Sequence, residues 1–295
     1  MKVVLSRKSM DAQYGGLPSP IFPTEFGYQK FYPLPIPFEQ SDLKYSDLHL
    51  FDDFSVWDFI KDVAPNYKHL QTCHLDPDLR QSYLKKRPAG WQRAFGQVMQ
   101  AQAHLENHGV SSGDIFLFFG WFQLAEFKNG KFAYKKTKQY PNGFHAIYGY
   151  LQVDKVYKPN IEGVPEWLHE HAHVSNKGVG YFKSDNNAVY TTLELFDYPK
   201  EPFNKNGAIC FTFKEDLILT QPGQQNRTVW ELPSFLHPDN GVALSYNPKE
   251  RWSFNGDKAV LRAAGRGQEF IFTADPNGVV EDWCINLIKN HSVTD

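Results

Sequence analysis

The segment HLDPD places His74, Asp76 and Asp78 at every second position. In an extended chain all three project from one face, so an imidazole and two carboxylates can surround a divalent cation or act as general acid and base. Asp76-Pro77 equally suits the start of a turn, where the carboxylates would cap local amides. The alternation recurs in WLHEHAHVSN. There His169, His171 and His173 share a side if extended, and only His169 and His173 do so on a helix. Neutral imidazoles suit zinc, iron, nickel or copper, and serve as well in structural hydrogen bonds or base contacts.

Three further groups are of binding type. In SRKSMDAQYGG, Ser6, Arg7, Lys8 and Ser9 leave a short apolar strand and are followed by Asp11 and Gly15-Gly16. Two cations, hydroxyls and exposed amides can cradle a phosphate there, and the same residues can form a solvated turn with Arg7 paired to an acid. The spacing of Arg93, Gln97, Gln100 and His104 gives a polar stripe on a helix, and glutamine can pair with a base edge. Trp121 offers a stacking surface, and His145 a second edge-reading group. Lysines at 128, 131, 135, 136 and 138 interleave with Phe132, Tyr134 and Tyr140, which suits either a nucleic-acid backbone or protection of an edge strand. No catalytic-cysteine signature is present, which argues against cysteine-based acyl transfer.

The elements that must position these residues follow from periodicity and punctuation. KVVLSR predicts a buried strand and SVWDFIKDVAP a short helix ending before Pro65. A packed but irregular stretch runs from Tyr28 to about Asp53. RPAGWQRAFGQVMQAQAHLENHG reads as the clearest helix, stopped at Gly109. Strands are expected at 114–123, 131–135, 144–157, 188–196, 208–213 and 216–220, with two more strands and the helix EDWCINLIKNH closing the chain. Gly120 and Gly149 interrupt apolar strands, marking bulges, barrel corners or close backbone approaches.

Composition narrows the class. A chain of 295 residues is long enough for a substantial core, and without repeats or linkers it reads as one domain over 1–295. The net charge of −2 gives no global attraction for nucleic acid. Three widely spaced cysteines support neither a disulfide framework nor a thiolate zinc site, and fit a reducing cytoplasm. The N-terminus lacks a signal-type apolar run, and no segment reaches the roughly 20 apolar residues of a membrane span. A cytoplasmic protein without membrane contact is the expectation.

VxxGDIFLFFG, a ribbon, and then HAIYGYLQV are together similar to small barrels of the PUA-like superfamily. That likeness implies an α+β fold with a mixed, strongly curved sheet or PUA-like barrel core, flanking helices and a pocket for a flipped or modified base. VVLSRKSMDAQYGGLPSPI, HLDPDL, AFGQVMQAQAHLENHGVSSGDIFLFFGWF and HAIYGYLQV, in that order, resemble the bacterial family called nucleotide modification associated domain 3. The likeness covers most of residues 1–155, the part that with its neighbours to 157 carries the motifs. Weaker echoes fall in the β-rich continuation 158–295, at HEHAHVSN and near the C-terminus. The family usually shows His-Pro-His where this chain has His171-Ala172-His173, so these two histidines are the candidate metal ligands.

The family implies association with nucleotide or DNA-base modification and no assigned reaction. The expected function is therefore binding or processing of a modified nucleotide or base. Trp121, Gln97 and His145 would hold the base, Arg7 and Lys8 the phosphate, and His74, Asp76 and Asp78 would do any catalysis, with a divalent metal as the cofactor in view. The alternative is a non-catalytic scaffold in a DNA-modification or defence complex.

Overall fold

The computed structural model describes residues 1–26, 30–200 and 202–292. The irregular stretch expected from Tyr28 onward therefore begins outside the described residues. The first strand, Val3–Arg7, is buried from Val3 to Ser6, as an apolar run without alternation requires of a strand covered on both faces. It runs parallel to the central strand Ile115–Lys128 and antiparallel to Glu269–Ala274. On its other side the central strand pairs antiparallel with Phe144–Gln152, every residue of which is buried. The sheet continues to Ala208–Cys210 at one end and to Ala243–Leu244 at the other. Ser19–Ile21 and Lys131–Tyr134 pair with the far half of the central strand.

This sheet stays open. Among the described residues its end strands Ala208–Cys210 and Ala243–Leu244 do not pair, and the other sheets have two or three strands. The α+β class holds, with four α-helices among the described residues, but the expected strongly curved sheet or PUA-like barrel does not. The two strand glycines have a different cause. A Cβ at Gly120 would lie 2.5 Å from the Lys8 carbonyl oxygen, and one at Gly149 2.5 Å from that of Ile209. Each glycine lets neighbouring backbone lie close, and a register shift beside Gly149 bends the strand without closing a barrel.

The helix expected over 87–109 is also corrected. Ala94–Gln97 is a strand paired antiparallel with Ala188–Thr191, and the helix is only Met99–Asn107. Tertiary pairing overrides the helical pattern here. Phe95 stacks on Tyr190 at 5.7 Å and meets Phe116 and Phe118 edge-on, tying this small sheet to the large one. The strand expected at 188–196 stops at Thr191, and the one at 216–220 begins instead as the short 3-10 turn Glu215–Leu217.

A second core surrounds the helix Val56–Val63, whose start is fixed by reciprocal Ser55 and Asp58 hydrogen bonds. Phe132 of the lysine ribbon is buried in that core beside Phe22, and the Tyr134 hydroxyl donates to the Pro18 carbonyl. No helix among the described residues is long and apolar enough to cross a membrane.

Candidate functional site

Three distant segments meet beside the strand Ala94–Gln97. His74 ends the short strand Cys73–His74, opposite Ile36. Asp76 follows, and its Oδ1 accepts the Gly96 N–H at 2.6 Å. A Cβ on Gly96 would fall 2.2 Å from the His173 ring, so the missing side chain is what lets that imidazole lie against the strand. His173 Nδ1 is 2.7 Å from Asn187 Oδ1, while the Asn187 amide nitrogen donates to the His173 carbonyl at 2.8 Å. That second bond fixes which way the amide faces. Its oxygen must meet the ring, so Nδ1 carries the proton and Nε2 is bare.

The ligand-type atoms of His74, Asp76 and His173 all lie within 4.8 Å of one another. His173 Nε2 is 3.9 Å from Asp76 Oδ2, and His74 Nε2 is buried with no hydrogen-bond partner. Burial drives the His74 imidazole down to about 4 and His173 well below the ordinary range. Burial alone would raise the Asp76 carboxyl. The neighbouring His171, His173 and Lys8 outweigh it and hold Asp76 below its usual value. Two neutral imidazoles beside an ionised carboxylate form the protonation state a divalent ion needs.

A second buried group lies alongside. Lys8 Nζ is 3.5 Å from Glu269 Oε1 and 4.4 Å from the centre of the Phe95 ring. Glu269 Oε1 also accepts from Gln97 Nε2 at 2.6 Å and Ser6 Oγ at 3.1 Å, whereas its buried Oε2 has no partner. Burial raises the Glu269 carboxyl, and Lys8 with these hydrogen bonds offsets part of that rise. A carboxyl so placed suits proton transfer.

Both groups line one cleft of about 660 Å³, within the range of small-molecule sites. Tyr14, Tyr181 and Tyr246 stand on its walls at 53%, 44% and 50% exposure. Ser9, Met99 and Tyr246 also line it, with φ of 87°, 58° and 63°. Only two other described non-glycine residues, Asp52 and Asn129, have positive φ, so left-handed backbone concentrates at this cleft as it does at functional sites. Asn186 holds Met99 there by accepting from its N–H and donating to its carbonyl.

The structure brings His74, Asp76, His173, Lys8 and Gln97 together, and Arg7 and Asp11 also border the cleft. Gln100 and His104 line it from the helix Met99–Asn107, although the continuous stripe with Arg93 and Gln97 does not exist. Asp78 turns away. Its carboxylate takes both guanidinium nitrogens of Arg87 and the Trp91 indole N–H, beside a second cleft of about 470 Å³ that His171 also borders. His171 Nδ1 accepts the His173 N–H at 3.3 Å, capping the short helix Ala172–Ser175. With Nδ1 accepting, the ring N–H is on Nε2, 3.5 Å from Asp76 Oδ1. His169 is exposed on a 3-10 turn.

The expected phosphate cradle is internally occupied. Asp11 Oδ1 accepts the Gln13 and Tyr14 amides, and the Asp11 carbonyl accepts that of Gly16. Gly15 packs on Met10, and Arg7 donates to the Ala264 and Gly265 carbonyls, which anchors the segment leading to Glu269. Ser6 is buried on Glu269. Trp121 and His145 lie outside the cleft. The Trp121 ring is covered by Arg227 at 3.9 Å and its N–H donates to Asn142, while buried His145 accepts the Trp230 indole N–H.

Sequence reasoning missed Glu269, Asn187 and Tyr246. Only the glycine-flanked GRGQEF stretch, a flexible approach to a strand, hinted at the first. No curated protein and no solved structure matches the chain. The model of one family, described as nucleotide modification associated domain 3, matches residues 2–273. That span contains every cleft residue named above, and the chain belongs to the nucleotide modification associated domain 3 family.

Proposed function

We propose that the protein binds a nucleotide in the 660 Å³ cleft and acts on its base or on a group attached to it. The carrying observation is the layering of that cleft, with exposed tyrosines above buried titratable groups. Tyr181 and Tyr246 stack the base, because an aromatic face accepts any base face. Arg266, exposed at the same cleft, meets the phosphate. Glu269 transfers a proton, and the His74–Asp76–His173 floor faces the reacting atoms. Membership of the family supports this reading.

Calorimetric titration with dCMP and 5-hydroxymethyl-dCMP tests it. Tyr246→Asn removes the ring while keeping a residue that tolerates the φ of 63°. It should weaken binding by roughly 5- to 150-fold, the range for one base–aromatic stack. Trp121→Ala should leave affinity unchanged. Wild-type affinity in both Tyr246→Asn and Tyr181→Ala would sink the stacking role.

A further inference from the structure

We infer that His74, Asp76 and His173 bind one divalent transition-metal ion, of the zinc or ferrous class, at the floor of the cleft. Two imidazoles and one carboxylate are the donor set those ions favour. The donors come from separate segments and already lie within 4.8 Å of one another. A tetrahedral site would bring ligand atoms to about 3.4 Å from one another at ordinary metal–nitrogen distances.

Two features point to an ion beyond the mere grouping. His74 Nε2 is buried without a hydrogen-bond partner, a desolvated atom that a metal would satisfy. The outer contacts are those of a ligand set. Asn187 fixes the His173 tautomer with Nε2 bare, and the Gly96 N–H holds Asp76 Oδ1, which leaves Oδ2 toward His173. His171 is a positioning residue here rather than a ligand, since its Nδ1 is committed to the His173 amide and its Nε2 proton faces Asp76.

Three protein ligands with a wall of the cleft beside them leave a coordination position open, the pattern of a catalytic rather than a structural site. The ligand set stands by itself. What fills the open position, water or an oxygen of the nucleotide, rests on the function proposed above.

The test uses tag-free, full-length protein. Plasma mass spectrometry should find about one equivalent of zinc or iron, and Co2+ added to chelator-treated protein should give the visible bands of a nitrogen- and oxygen-ligated four- or five-coordinate ion. Asp76→Asn and His173→Gln should abolish stoichiometric binding, whereas Asn187→Ala should weaken it by roughly 10- to 100-fold. Trace metal and no Co2+ bands in the wild-type protein overturn the site, a result that does not depend on any variant folding. Undiminished binding in a folded Asp76→Asn, His173→Gln double variant overturns it too. Metal bound without nucleotide affinity would leave this site standing and refute the nucleotide reading, while nucleotide affinity without metal would do the reverse.

Discussion

Glu269 is a buried carboxyl that borders the cleft beside Lys8. Its side chain has no exposed surface, one oxygen is shared among Lys8, Ser6 and Gln97, and the other is unpartnered. Burial raises its folded-state value above that of the unfolded chain. A group raised in this way contributes stability that is fully present below its unfolded value and is lost as pH climbs through the folded one. Thermal melts across pH should therefore show a decline that begins just above the ordinary carboxyl range. Glu269→Gln, which keeps an acceptor for Ser6 and Gln97, should remove that slope. An identical slope in the variant would show that Glu269 is not its source. Neither Glu269 nor Asn187 was legible in the sequence, because their roles depend on what the fold sets against them. His74 and Asp76 line the cleft together, since alternation survives over two residues. Asp78 is parted from them because the chain turns after Asp76 and delivers its carboxylate to Arg87. His171 and His173 come near Asp76, but the different partners of their rings lie in one backbone amide and one asparagine.

At the scale of elements, two glycines hold the site's walls in place. Gly120 sits where the central strand passes the exit of Val3–Arg7, and a Cβ there would strike the Lys8 carbonyl at 2.5 Å and Ser9 Oγ at 2.4 Å. The carbonyl is backbone and cannot rotate away, so Gly120→Ala should destabilise by about 1–3 kcal/mol, the usual cost of overpacking. Urea unfolding measures this, and an unchanged midpoint would mean that the two strands separate freely. Gly96→Ala acts on the site itself. Its methyl group would occupy the place of the His173 ring, so metal uptake should fall even if the protein stays folded. The sequence marked Gly120 and Gly149 as special, and their close approaches bear that out, but it could not tell a close approach from a barrel corner. That distinction depends on which strands become neighbours. The same limit explains the false helix over 87–109. Phe95 fits a helical face with Trp91, Val98 and Met99, yet in the fold its ring packs on Tyr190 and Phe116 and the neighbouring Gly96 N–H donates to Asp76. The apolar strands and the C-terminal helix were legible because length and burial alone define them.

For the whole molecule, the question is whether the ligand is a free nucleotide or a strand of DNA. A net charge of −2 supplies no long-range pull on a polyanion, so any such affinity must come from local cations. Two sets compete for that role. The cleft offers exposed Arg266 and Lys8, the latter already beside Glu269, with Arg7 committed to backbone carbonyls. The ribbon offers exposed lysines at 131, 135, 136 and 138, but two of the aromatics expected to stack beside them face inward, Phe132 into the second core and Tyr134 onto Pro18. Lys128 is paired with Glu126. With Phe132 buried and Tyr134 tied to Pro18, the hairpin has lost these two stacking faces, and its lysines better serve to guard an edge strand. Single-stranded DNA held through the cleft would then neutralise only one or two phosphates, giving a shallow salt slope of about −0.7 to −1.4 in log affinity against log salt. Replacing Lys131, Lys135, Lys136 and Lys138 together with Gln should leave both slope and affinity unchanged. A slope that is steep in the wild type and flattened in the quadruple variant would instead make the ribbon a DNA-binding surface, and would recast the cleft as the place where one nucleotide of a longer strand is received.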